Sequence, residues 1–102
     1  MTSWRVEKDF LGERRLPASA LYGIHTARAL ENFPLTGRPV HCELVQAYAT
    51  VKLACARTSR ALGVWQKDPA KADAIERACQ ELAEGILTTH IAVDALQGGA
   101  GT

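Results

Sequence analysis

Two places in this 102-residue chain carry residue types suited to chemistry. The first is the terminal run Gly98-Gly99-Ala100-Gly101-Thr102. Glycines without a Cβ let backbone N–H groups approach a ligand closely, and the threonine adds a hydroxyl donor, a combination suited to holding an anion. The run is neither G-x-x-x-x-G-K-[ST] nor G-x-G-x-x-G after a strand. On its residues alone it reads either as an anion-holding loop or as a flexible connector. The second place is His25-Thr26-Ala27-Arg28. On a helix, Ile24, Ala27 and Leu30 can share a core side, which leaves His25 and Arg28, three apart, to project together from another. A single arginine on a helix is ordinarily solvated or ion-paired, so spacing alone keeps both a surface role and a binding role open.

Other reactive types are placed less suggestively. His25, His41 and His90 match no metal-ligand spacing, and no metal or cofactor is expected. Cys42, Cys55 and Cys79 are odd in number and contain no C-x-x-C pair, which fits neither a disulfide framework nor a thiolate zinc site. Cys55 and Cys79 lie among Ala and Leu and read as small buried hydrophobes.

The elements that must position these residues follow from the pattern. Trp4, Val6 and Lys8 alternate with Arg5, Glu7 and Asp9, and the chain resumes at Glu13-Arg14-Arg15-Leu16 before Pro17, which predicts a β-hairpin over 4–17. Gly12 can supply a positive φ for its turn. Ser19 as N-cap predicts a helix over 19–33, stopped at Phe33-Pro34 and containing an unfavourable Gly23 that implies close packing or a bend. Leu44, Tyr48, Val51, Cys55 and Leu62 predict an apolar stripe on a helix over 41–63, with Gly63 as the stop. Asp68-Pro69 opens a third helix over 68–86, with Ala72, Ile75, Cys79, Leu82 and Ile86 as its stripe. A glycine-rich segment over 93–102 closes the chain. The expected fold is mainly α, a hairpin followed by about three helices.

Length allows one domain and excludes a multidomain enzyme. Twelve Lys+Arg against eleven Asp+Glu leave a net charge of +1, without the surplus that marks a nucleic-acid partner. No stretch approaches the roughly 20 apolar residues of a membrane span, and the charged start from Met1 to Glu7 lacks a signal-peptide core, so a cytoplasmic location is expected. Three glycines among the last five residues have nothing after them to pack, which suggests the front piece of a longer protein.

Three blocks resemble the N-terminal domain of the aspartase/fumarase superfamily. They are Arg5-Val6-Glu7-Lys8-Asp9-Phe10-Leu11-Gly12-Glu13, Leu21-Tyr22-Gly23-Ile24-His25-Thr26-Ala27-Arg28-Ala29-Leu30-Glu31-Asn32-Phe33, and Val93-Asp94-Ala95-Leu96-Gln97-Gly98-Gly99-Ala100-Gly101-Thr102. The end of the last block is aspartase-like, where class II fumarases carry Trp-Gln-Thr-Gly-Ser-Gly-Thr. The chain departs from the family pattern at Ala27, where leucine is usual, and at His90-Ile91-Ala92, where a Phe-Pro run is common.

The resemblance implies a mostly helical, homotetrameric lyase acting on a small-molecule substrate, L-aspartate, to release fumarate and ammonia. Thr102 with Gly101 would bind substrate, and Arg28 would bind it or shape the site. His25 shares that block, but its position holds glutamine in relatives, which argues against an acid or base. The family's catalytic serine lies in a Gly-Ser-Ser loop far downstream, so these residues include no catalytic group and the chain alone is expected to be inactive. A class II fumarase-like enzyme, another fumarate-forming lyase, and a non-catalytic helical interaction module remain the alternatives.

Overall fold

A computed structural model of the chain describes residues 3–96. In chain order it contains β1 (Trp4–Asp9), β2 (Gly12–Pro17), α1 (Ile24–Asn32), α2 (Cys42–Ala61), α3 (Pro69–Ala83) and a short 3-10 turn, Thr88–His90. The described residues divide into two compact units, one formed by residues 3–40 and 89–96, the other by 41–88.

In the first unit β1 and β2 form an antiparallel hairpin in which Arg5 faces Leu16, Glu7 faces Arg14 and Asp9 faces Gly12. Gly12 has φ +115, the positive value anticipated for the turn. Pro17 ends β2, where the lost ladder donor matters least. The alternation runs against the usual polarity of a half-buried strand. Arg5, Glu7 and Asp9 point to the sheltered side, whereas Trp4 and Val6 are exposed, with the Arg15 guanidinium 5.1 Å above the Trp4 ring. Leu16, Ala20 and Ile24 supply the unit's buried apolar side chains, and α1 packs against both strands.

The first helix begins at Ile24, five residues after the predicted start at Ser19, and Ser19 does not cap it. The reason lies in Arg5. Its guanidinium donates to the carbonyls of Pro17, Ala18, Ala20 and Tyr22, at 2.9, 3.3, 2.7 and 2.6 Å. Residues 17–22 therefore wrap around a cation and do not close helical turns. Gly23 becomes the N-cap, outside the helix interior, so the expected propensity penalty does not arise. Its close packing is real, because a Cβ there would lie 3.1 Å from Glu7 Oε1.

In the second unit α2 and α3 pack together. His41 caps α2 by accepting the Glu43 N–H at Nδ1, and Asp68 caps α3 by accepting the Lys71 N–H, with Pro69 in the first turn as anticipated. Gly63 and Gly85 both have φ +83 and terminate the two helices. In each case the amide three residues past the helix reaches back five residues, Val64 to Ser59 and Ile86 to Glu81, which satisfies carbonyls left open at a helix end. The stop at Gly85 shortens α3 relative to the predicted limit of 86.

The apolar stripe predicted for α2 is displaced. The buried residues are Val45, Ala49, Leu53 and Ala56, whereas Leu44, Tyr48, Val51, Cys55 and Leu62 are exposed. The buried side combines the small Ala49 and Ala56 with Val45 and Leu53, while Leu44, Tyr48, Val51 and Leu62 point outward. On α3, Ala72 is buried, Ile75, Cys79 and Leu82 are half-buried, and Ile86 lies beyond the helix and is exposed.

Candidate functional site

The polar inner face of the hairpin meets the start of α1. Glu7 accepts from Arg5 Nε at 2.8 Å and from the Ile24 N–H at 2.9 Å. Its carboxylate thus supplies from the neighbouring strand the cap that no local side chain gives α1, at the helix end where negative charge is favoured. The Arg5 hydrogen bond, followed by the Ile24 amide, holds the Glu7 carboxyl below its usual range.

Two residues on, Asp9 grips Arg28. Arg28 Nε lies 2.8 Å from Oδ2 and its Nη2 lies 2.7 Å from Oδ1, a two-pronged pair, and Nη2 also donates to the Gly12 carbonyl at 3.1 Å. Both side chains are largely sheltered, 13% and 10% exposed. Asp9 further accepts the Leu11 N–H, so one carboxylate organises the hairpin turn and the helix together. The hydrogen bond between the two lowers the Asp9 carboxyl and raises Arg28. Arg28 is therefore engaged within the unit as a brace between α1 and the turn. His25 lies in the same corner but is 88% exposed, with Nδ1 3.9 Å from Asp9, too far for a hydrogen bond.

The third focus is Asp94, the one buried charged residue among those described. Its carboxylate accepts four hydrogen bonds, from Thr36 N–H at 2.8 Å, Thr36 Oγ1 at 2.9 Å, Gly37 N–H at 3.0 Å and Leu96 N–H at 2.9 Å. Ala95 N–H donates to the Arg38 carbonyl at 2.8 Å, and Pro39 pairs with Asp94 as an isolated bridge. The backbone donor from Leu96, then those around Thr36 and Gly37, lower the Asp94 carboxyl to about 2. The loop at 36–39 and the stem of the glycine-rich run are thereby clasped at one point. Gly101 and Thr102 lie outside the described residues, as does the rest of the predicted run from 97 onward.

The sequence reading singled out Arg28 and His25 and missed their supports. Asp9, Glu7 and Arg5 were visible as charges at every second position of a strand, a pattern that places all three on one face. Asp94 and Thr36 carry no such local signal, since 58 residues separate them. His90, also unassigned, accepts the Leu21 N–H at Nδ1, 3.2 Å away. Among the described residues no group of three His, Cys, Asp or Glu side chains converges as a metal site would require.

No family model matches the chain. It is 43% identical over 101 residues to an aspartate ammonia-lyase from Bacillus sp, covering 99% of this chain and 21% of that protein. It is 46% identical over 99 residues to the aspartate ammonia-lyase of Bacillus subtilis (strain 168), with 97% and 20% covered. A class II fumarate hydratase from Mycobacterium tuberculosis is 41% identical over 100 residues, again across 98% of this chain and 21% of its own length. Among solved structures, fumarate lyase:delta crystallin from Brucella melitensis superposes with a TM-score of 0.85 at 42% identity, covering 99% of this chain and 24% of that one. The chain belongs to the aspartase/fumarase superfamily. It spans about a fifth of the length of the curated superfamily members it matches. Its hairpin and three helices reproduce the superfamily's N-terminal domain, as the resemblance of the three blocks implied. No helix among the described residues is long and apolar enough to cross a membrane.

Proposed function

We propose that this chain supplies the N-terminal segment of a cytoplasmic, homotetrameric lyase that converts L-aspartate reversibly to fumarate and ammonia. The observation that carries the reading is identity of 43–47% to several aspartate ammonia-lyases over nearly every residue of the chain. The aspartase-like form of Leu96-Gln97-Gly98-Gly99-Ala100-Gly101-Thr102 supports it.

The chemistry explains why such a segment is needed. Taking a proton from the carbon beside a carboxylate puts a second negative charge on that carboxylate, so donors must already be aimed at its oxygens. Gly101 N–H and the Thr102 hydroxyl are suited to that task. Arg28, with its donors turned to Asp9 and Gly12, serves by bracing α1 against the hairpin turn, and His25 offers an exposed donor beside Asp9. The proton-abstracting serine belongs to the remaining length of the superfamily enzyme, so the 102 residues alone are inactive.

Class II fumarase activity is the second reading, favoured by the 41% identity to a fumarate hydratase. Reading the encoding frame past Thr102 and expressing the complete product tests both. Fumarate, followed by its ultraviolet absorbance, should appear faster from aspartate than from malate. The reverse order would establish the hydratase reading, and a frame ending at Thr102 would favour a non-catalytic interaction module.

A further inference from the structure

Asp94 is buried and charged, yet the ion pairs among the described residues do not include it. Its charge is met by N–H and O–H donors instead, and the two oxygens divide them. Oδ1 accepts the Leu96 N–H and the Thr36 hydroxyl, each at 2.9 Å. Oδ2 accepts the backbone N–H groups of Thr36 and Gly37, at 2.8 and 3.0 Å. Only an ionised carboxylate offers acceptors on both sides of such a site, and burying one is costly unless its oxygens are met in this way. Oδ2 therefore fixes the side chain to the 36–37 loop, and Oδ1 bridges that loop to the stem of the glycine-rich run. The Ala95 N–H, 2.8 Å from the Arg38 carbonyl, ties the same two strands of chain beside it. An apolar contact tolerates sliding, whereas four directional bonds to one planar group do not.

We propose that Asp94, with Thr36, is a positioning residue for the lyase reaction: it sets the root from which Gly101 and Thr102 reach the substrate carboxylate. This role rests on the lyase reading above and holds for either leaving group, because both eliminations take a proton from the carbon beside a carboxylate. Asp94 itself touches no reacting atom. Gly101 lies five residues beyond Leu96, at most about 18 Å of chain, so a displaced root displaces the donors that follow it. Donors aimed at a second negative charge act more strongly in the transition state than in the ground state. The signature of a displaced root is therefore a loss of kcat with KM nearly kept.

The complete protein encoded by the frame past Thr102 tests this, with fumarate absorbance followed from aspartate and from malate. Asp94→Asn keeps the volume of the side chain, but its NH2 must face either the Leu96 N–H or the N–H groups of Thr36 and Gly37. Each orientation breaks one side of the clasp. At a temperature where circular dichroism shows the variant folded, kcat should fall at least about tenfold while KM changes less than about threefold. Thr36→Val keeps both backbone donors and the side-chain shape and loses only the hydroxyl; kcat should fall about fivefold, the factor of one ordinary hydrogen bond, and Thr36→Ser should restore it. If Asp94→Asn does not fold, the Thr36 pair carries the test. Wild-type kcat in folded Asp94→Asn or Thr36→Val, or a loss confined to KM, would overturn the positioning role. Wild-type protein inert with both substrates would remove the lyase reading and this role with it, so fumarate production by the wild type tells the two failures apart.

Discussion

The two helix stops offer a matched pair of perturbations. Gly63 and Gly85 share φ +83, so replacing either by alanine forces a Cβ into a left-handed backbone conformation, at about 1–2 kcal/mol. Restricting the unfolded chain returns about 0.4–1 kcal/mol, which leaves a common net loss of roughly 0.5–1 kcal/mol. The sites differ in clearance. At Gly63 the nearest atom to a new Cβ is Gln66 Oε1 at 3.4 Å, an ordinary contact, whereas at Gly85 Gln46 Nε2 would lie 2.7 Å away and must move. That amide ends a flexible side chain, so its displacement adds up to about 1 kcal/mol, the scale of an off-rotamer torsion. Gly85→Ala should therefore be the more destabilising change, and the excess should vanish when Gln46→Ala is introduced alongside it. Urea unfolding in a Trp4→Phe background reads the effect, because Trp65 is then the sole tryptophan and lies in the same unit as both glycines. Gly85→Ala no worse than Gly63→Ala, or an excess that survives Gln46→Ala, would refute the steric reasoning.

Other expectations concern the first unit. With its carboxyl lowered to about 2, Asp94 contributes stability that is fully present above the ordinary carboxylate value of 3.8 and is lost as pH falls through about 2. Amide exchange at Thr36, Gly37 and Leu96 should accelerate across that window, and Asp94→Asn should show fast exchange already at neutral pH. Arg28→Lys should lower the urea midpoint reported by Trp4 nearly as much as Arg28→Ala, since an ammonium cannot reproduce the fork to both Asp9 oxygens and the Gly12 carbonyl. A wild-type midpoint for the lysine variant would show that charge suffices. Gly23→Ala should push Glu7 from Ile24 and accelerate exchange of the Ile24 amide, and unchanged exchange would mean that the carboxylate yields freely.

What the sequence revealed depended on how local the cause was. The hairpin, the caps at Asp68-Pro69 and the stop at Gly63 arise from neighbours within a few positions, and they were legible. The start of α1 was not, because Arg5 reaches across up to 17 residues to take the carbonyls that a helix would have used. The phase of α2 misled for another reason: periodicity identifies an apolar face but not its partner, and here large apolar residues occur on both a buried and an exposed face. Arg28 was legible as a residue of interest, whereas Asp9 and Asp94, which organise its corner and the stem of the glycine run, show their importance only through pairings distant in the chain.

The clasp between Thr36 and Asp94 also makes the helical pair an insertion: the chain leaves the first unit at residue 40 and returns at 89. The entropy of closing such an excursion depends only logarithmically on its length, with a doubling worth about 0.6 kcal/mol. A lengthened or trimmed hairpin of helices could thus be exchanged between the two fixed ends as a cassette, while the root of the glycine segment keeps its anchorage.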